Sequence, residues 1–360
     1  LVRSRGLGDV YKRQDNYKGG YDFAGTTKNA NDPDDYPMDF DGHGTHCAGI
    51  VAAVMGNNEG VIGVAPEAKL YALKVFSDDG YGYYSDVISA LQWCIDTHTD
   101  GIEGNDIQVI SMSFGSSYSS GNPGIEWVIN DAYNAGILLV GAAGNEGNTW
   151  GVGDNVIYPA RYANVIAVAA TDSSDRRASW SSTGPAVELS APGVNIYSTY
   201  WDDTYATLSG TSMACPMVSG TAALIIASDP SLTNVQVRQR LNLTADDLGT
   251  LGRDTKYGFG LVDADEAAPP TGGVISKMHV ASINMALVKS YTYTYAKATV
   301  TILDANNNPV GSATVYGHWN GATSDKDSGV TNSNGQVTLQ SDKVRRPPKG
   351  TTFTFCVDDI

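Results

Sequence analysis

At 360 residues the chain is long enough for one domain with a large core and a second, smaller one, since single cores stop growing near about 250–300 residues. With 42% apolar and 17% charged residues, 40 glycines and 20 tyrosines, it reads as a folded, turn-rich protein. A formal charge of -16 repels phosphate backbones, so no nucleic-acid partner is expected, and no stretch approaches the roughly 18 consecutive apolar residues of a membrane span. Cys47, Cys94, Cys215 and Cys356 contain no Cys-x-x-Cys pair and read as small buried residues, not as a zinc site or disulfide framework.

The opening LVRSRGLGDVYKRQ is basic in an otherwise acid-rich chain, and residues 1–14 read as a non-native leader of the vector or adapter kind. Asp22, Asp32, Asp34, Asp35 and Asp39 then read as solvated acidic loop. Residues 44–54, GTHCAGIVAAV, are small or apolar almost all round, which predicts a helix buried in the middle of a domain. His43 stands at its mouth between Gly42 and Gly44, where a substrate can approach closely, as a general base requires. His46, one turn inside, reads as a hydrogen-bonded core histidine.

From residue 67 to 195 apolar runs alternate with amphipathic ones. KLYALKVF, IQVISMSFG, ILLVGAAGN and NVIAVAAT read as buried strands, while SDVISALQWCIDTHT and GIEWVINDAYNAG read as helices. The pattern predicts a parallel α/β sheet with helices on both faces, and ligands in such sheets bind beyond the carboxyl ends of the strands, here SMSFG and GAAGNEG. A second buried helix over 212–227, SMACPMVSGTAALIIA, opens on Ser212, whose hydroxyl would lie among free N–H groups at a positive helix end. Serine there is also a common cap. Cys47 and Cys215, each just inside one of these helices, are expected to pack near each other.

The α/β region spans residues 15–268, and Pro269, Pro270, Gly272 and Gly273 mark a linker over 269–275. Over 276–360, ATVTILD, SATVYGHW, GQVTLQS and TFTFCV are short alternating runs separated by turn residues. They predict an all-β, immunoglobulin-like sandwich, cut before its last strand.

HGTHCAG, SMSFG, AAGNEG and GTSMACP, in this order and spacing, resemble the subtilisin-like serine peptidases over residues 15–268. The resemblance implies a serine endopeptidase working through an acyl-enzyme, with His43 as base, Ser212 as nucleophile and Asn145 as oxyanion donor. It implies substrate binding at Ser113, Gly115, Gly82 and Gly144, with extended peptide adding to strand edges. Ile157 falls where many relatives keep glycine at the base of the primary pocket, implying a shallower one, and Tyr158-Pro159 matches a cis-proline turn.

The family's third catalytic residue, an aspartate ending an apolar strand in Asp-Ser/Thr-Gly, has no counterpart before His43, so the chain is expected to be a nearly inactive fragment. The resemblance further implies secretion, inhibition by a propeptide, a monomer, no cofactor for the chemistry, and structural calcium in a loop like Gly56 to Pro66, with Asn57 or Asn58 as donor. The competing reading is a non-catalytic binding or adhesion protein on the same scaffold.

Overall fold

The computed structural model describes residues 16–24, 37–58, 60–77, 80–102, 104–116, 121–268, 278–290, 292–304, 309–311 and 313–359. The leader, the linker, Asp32, Asp34 and Asp35 lie outside them. The chain forms two compact units, residues 1–271 and 272–360.

In the first unit β1 (Tyr17–Asp22) precedes helix α1 (His43–Ala52) and pairs in parallel with β2 (Leu70–Lys74). After α2 (Tyr84–Thr99), strands β3 (Val109–Met112), β4 (Leu138–Ala142), β5 (Ile166–Thr171) and β6 (Val187–Pro192) form one parallel sheet in chain order, with α3 (Pro123–Asn134) between β3 and β4. β3, β4 and β5 are buried at every position, which is why they read as continuous apolar runs. Helices cover both faces. Val87, Leu91, Val128 and Ile129 of α2 and α3 pack with Ile110 and Leu139, and on the other face Ala48 and Val51 of α1 pack with Val140 and Val168.

That second face also receives α4 (Thr211–Ser228), followed by α5 (Asn234–Leu243) and a single turn, α6 (Ala264–Ala267). α4 has a mean hydropathy of 1.4 and is long and apolar enough to cross a membrane. Here it is the inner helix, with Ala214, Val218, Ala222 and Ile225 fully buried in the sheet core. The antiparallel hairpin β7 (Ile196–Tyr200) and β8 (Thr204–Leu208) leads into it.

Leu70 and Ala72 share one core with Val109, and Leu73 and Val75 share the other with Ile110 and Met112. Among the described residues, however, no strand pairs with both β2 and β3, so the parallel layer is divided into β1-β2 and β3-β4-β5-β6.

Two aspartates expected in solvent are buried. Asp22 closes β1 with its carboxylate 3.0 Å from Lys74 Nζ, side chains 6% and 2% exposed, and Asp39 is 1% exposed. Neither position carries an apolar pattern that would have signalled burial. The free cysteines Cys47, Cys94 and Cys215 are buried as expected, whereas Cys356 on the last strand is only half-buried.

The second unit is all-β. β9 (Met278–Ser290), β10 (Tyr293–Asp304), β13 (Gln336–Gln340) and the short β14 (Val344–Arg345) form one antiparallel sheet, and β11 (Thr314–Gly321), β12 (Lys326–Val330) and β15 (Phe353–Asp359) form another. Ala298, Val300, Ile302, Val315, Trp319 and Phe355 make their common core. The alternating runs seen in the sequence are β10, β11, β13 and β15.

Candidate active site

His43 is the first residue of α1 and follows Gly42, whose φ of 91° is a left-handed value that glycine adopts without strain. His46, fully buried, points into the β7-β8 hairpin, where its Nε2 lies 3.0 Å from the carbonyls of Ile196 and Ala206. Both partners are acceptors, so Nε2 carries the proton and His46 is structural, as expected.

Ser212 is the second residue of α4. Its Oγ donates to the Ser113 carbonyl at 3.2 Å. Pro216 lies four residues on and has no N–H, so the Ser212 carbonyl loses its helical donor. Ser113 Oγ, at 2.8 Å, and Cys47 Sγ, at 3.2 Å, donate to it instead. Ser113 lies just past the end of β3 and Cys47 is one turn beyond His43 on α1, so one carbonyl ties together the elements that carry His43, Ser113 and Ser212. Cys47 packs with Ile50 and Met213, while the Cys215 thiol faces Ser111 and burial pushes it up to about 11.

Asn145 sits in the exit loop of β4. Its Oδ1 accepts from Thr211 N at 3.0 Å and Thr211 Oγ1 at 3.2 Å, and the same hydroxyl accepts from Gly144 N at 3.0 Å. A backbone N–H can only donate, so the amide orientation is fixed: oxygen toward Thr211, NH2 on the other side. A Cβ placed on Gly210 would lie 3.7 Å from Asn145 Nδ2 and 3.6 Å from Ser212 N, which puts both donors beside one point at the start of α4. Sequence reasoning missed Thr211, although it lies inside the GTSMACP string.

Gly115 is exposed and Gly144 is buried, and the Ile157 side chain lies between them. A Cβ on Gly115 would meet Ile157 Cδ1 at 2.5 Å, and one on Gly144 would meet Ile157 Cγ2 at 2.8 Å. The Tyr158-Pro159 bond is cis. Gly82 and Gly115 also border an open groove of about 330 Å³ lined by Phe76, Tyr84, Phe114 and Ile125, with the Phe76 and Phe114 rings 5.4 Å apart. Gly82 and Gly115 thus share one groove, while Ser113 is tied to Ser212 at the start of α4 by its hydroxyl and its carbonyl.

Among the described residues no group of three or more His, Cys, Asp or Glu side chains could hold a metal ion. In the loop 56–66, Gly63, Val64 and Ala65 donate backbone bonds to Ala53, Ile50 and Val51 at the end of α1, so this part of the loop is a closure on that helix.

The subtilase family model matches residues 7–260. A thermostable alkaline protease of Halalkalibacterium halodurans is 50% identical over 229 residues, which are 64% of this chain and 58% of that protein. Subtilisin DY of Bacillus licheniformis is 46% identical over 233 residues, 65% of this chain and 80% of the relative. A solved structure titled S41 psychrophilic protease superposes with a TM-score of 0.64 at 36% identity, covering 72% of this chain and 89% of its own. The family match over residues 7–260, together with these relatives and the parallel sheet with its inner helix, shows that the chain belongs to the subtilase family.

Proposed function

We propose that the chain is the body of a serine endopeptidase in which His43 takes the proton of Ser212 Oγ as that oxygen attacks the scissile carbonyl. His43 then delivers the proton to the leaving amine, and water hydrolyses the acyl-enzyme. The tetrahedral oxyanion is bound by the Ser212 N–H and Asn145 Nδ2. The observation that carries the reading is the amide orientation of Asn145, which turns its NH2 group away from Thr211, with Nδ2 and Ser212 N 3.7 and 3.6 Å from one point at Gly210. Losing such a side-chain donor costs about a hundred- to a thousandfold in turnover in subtilisin itself.

Substrate lies extended against Ser113, Gly115 and Gly82, with apolar side chains of its acyl half in the aromatic groove and Gly144 beside the primary pocket. Ile157 makes that pocket shallow and favours small residues there. The third catalytic group is an aspartate on an apolar strand in the divided region between β2 and β3, so the chain as given has little activity. No cofactor enters the chemistry. Secretion, a propeptide inhibitor, a monomeric state, structural calcium and an immunoglobulin-like docking role for the second unit complete the proposal.

The test is labelling with a fluorophosphonate, with wild type compared to Ser212→Ala and Asn145→Ala, and hydrolysis of a chromogenic peptide by the same protein joined to an upstream strand ending in Asp-Ser-Gly. Labelling at Ser212 and a gain of hydrolysis are expected. Failure of the extended protein to label would overturn the reading.

A further inference from the structure

We propose that Asp39 is a positioning residue for His43, acting as a detached cap that fixes the backbone on both sides of the base. The inference rests on the proposed role of His43. The first N–H groups of a helix have no acceptor within it, and a side chain at the N-cap normally supplies one. At α1 that position is Gly42, which has no side chain to offer. A Cβ there would lie 2.5 Å from the Tyr200 ring and 2.8 Å from Trp201 Cδ1, so the close hairpin excludes an ordinary cap.

The acceptor comes instead from three residues upstream. Asp39 Oδ1 accepts from Gly42 N at 2.8 Å and Asp41 N at 3.0 Å, and Oδ2 accepts from Thr45 N at 2.8 Å and Thr45 Oγ1 at 2.7 Å. One buried carboxylate thus holds two donors before His43 and two after it. The opposite side of the same segment is held by three consecutive hydroxyls of β7: Tyr200 OH donates to the Asp41 carbonyl at 2.8 Å, Thr199 Oγ1 to that of Thr45 at 3.0 Å, and Ser198 Oγ to that of His46 at 2.7 Å. None of these seven bonds uses the His43 ring, so together they set where its Cα and Cβ point without restricting proton transfer.

A simple stability role would be served more cheaply by an exposed cap, since a buried carboxylate carries a desolvation cost. The test separates the two. Asp39→Ala, Asp39→Asn and Tyr200→Phe are made in the full chain, with Val237→Ala, a fully buried side chain of α5 remote from the site, as a control for lost stability. Two readouts are taken: the imidazole resonances of His43 through a pH titration, and the maximal rate of fluorophosphonate labelling against the concentration for half-maximal rate.

Asp39→Ala is expected to shift the His43 resonances and lower the maximal rate about ten- to a hundredfold with half-saturation unchanged, while Val237→Ala does neither at an equal loss of melting temperature. Unmoved resonances in Asp39→Ala, or equal effects in the control, overturn the proposal. If Asp39→Ala does not fold, Asp39→Asn and Tyr200→Phe decide by the same criteria. Where the wild type labels too slowly to measure, which the peptidase reading allows for the chain as given, the resonances alone decide, and unmoved resonances in Asp39→Ala overturn the proposal.

Discussion

Thr211→Val keeps the shape of a side chain that makes two bonds: a donation to Asn145 Oδ1 at 3.2 Å and an acceptance from Gly144 N at 3.0 Å. Removing the hydroxyl leaves the buried Gly144 N–H without that acceptor, which costs about 1–3 kcal/mol of stability. Asn145 keeps its bond from Thr211 N, so its amide stays near place but loses one of two anchors. A loosening worth about 1 kcal/mol corresponds to roughly a fivefold slower acylation. The maximal rate of fluorophosphonate labelling at Ser212 should fall by about that factor with half-saturation unchanged, the melting temperature should drop by a few degrees, and Thr211→Ser should restore both. A valine variant that labels at the wild-type rate, or a serine variant as slow as valine, would refute the reasoning.

Ile157→Gly should open the space between Gly115 and Gly144 and raise kcat/KM for substrates with a large aromatic residue before the scissile bond by about ten- to two-hundredfold relative to alanine there; an unchanged ratio measured in the strand-extended protein would show that Ile157 does not limit the pocket. Asp22→Ala removes the carboxylate 3.0 Å from buried Lys74 Nζ and should cost about 3–5 kcal/mol in urea unfolding, whereas a loss under 1 kcal/mol would mean the ammonium is solvated. Burial holds the Asp39 carboxyl above its ordinary value despite its four donors, so its contribution is full below the unfolded value of about 3.9 and is lost as pH rises through the higher folded one. The stability of wild type relative to Asp39→Asn should therefore fall as pH rises above the unfolded value of about 3.9, and a flat difference would contradict this. Burial pushes the Cys94 thiol up to about 12 and Cys215 to about 11, so a thiol reagent at neutral pH should find them only after unfolding; their rapid modification in the native protein would count against the packing.

The sheet and its helices were legible because burial on both faces makes β3, β4 and β5 unbroken apolar runs and gives α2 its one-sided pattern. β1 was not, since YKGGYD has two glycines and a buried charge, and its place comes from pairing with β2. The β7-β8 hairpin was missed for a related reason: its inward side chains are Ser198 and Thr199, chosen for carbonyl acceptors on α1 rather than for an apolar core. β9 reads poorly because Ile283, Met285 and Leu287 are exposed although they lie opposite the core residues Val300, Ala298 and Ala296. At the site, the motif strings located His43, Asn145 and Ser212, but the residues that aim them do so through backbone atoms. Thr211 and Asp39 leave no such mark in spacing, and an aspartate in an acidic stretch looks like any solvated one.

β8 ends at Leu208 and α4 begins at Thr211, so only Ser209 and Gly210 separate the hairpin from the helix that carries Ser212, while the hydroxyls of β7 grip the helix that carries His43. The hairpin therefore acts as a shared mount. A displacement of that mount should carry His43 and Ser212 in the same direction, as common-mode motion, so that the gap between them changes less than either position does against the sheet.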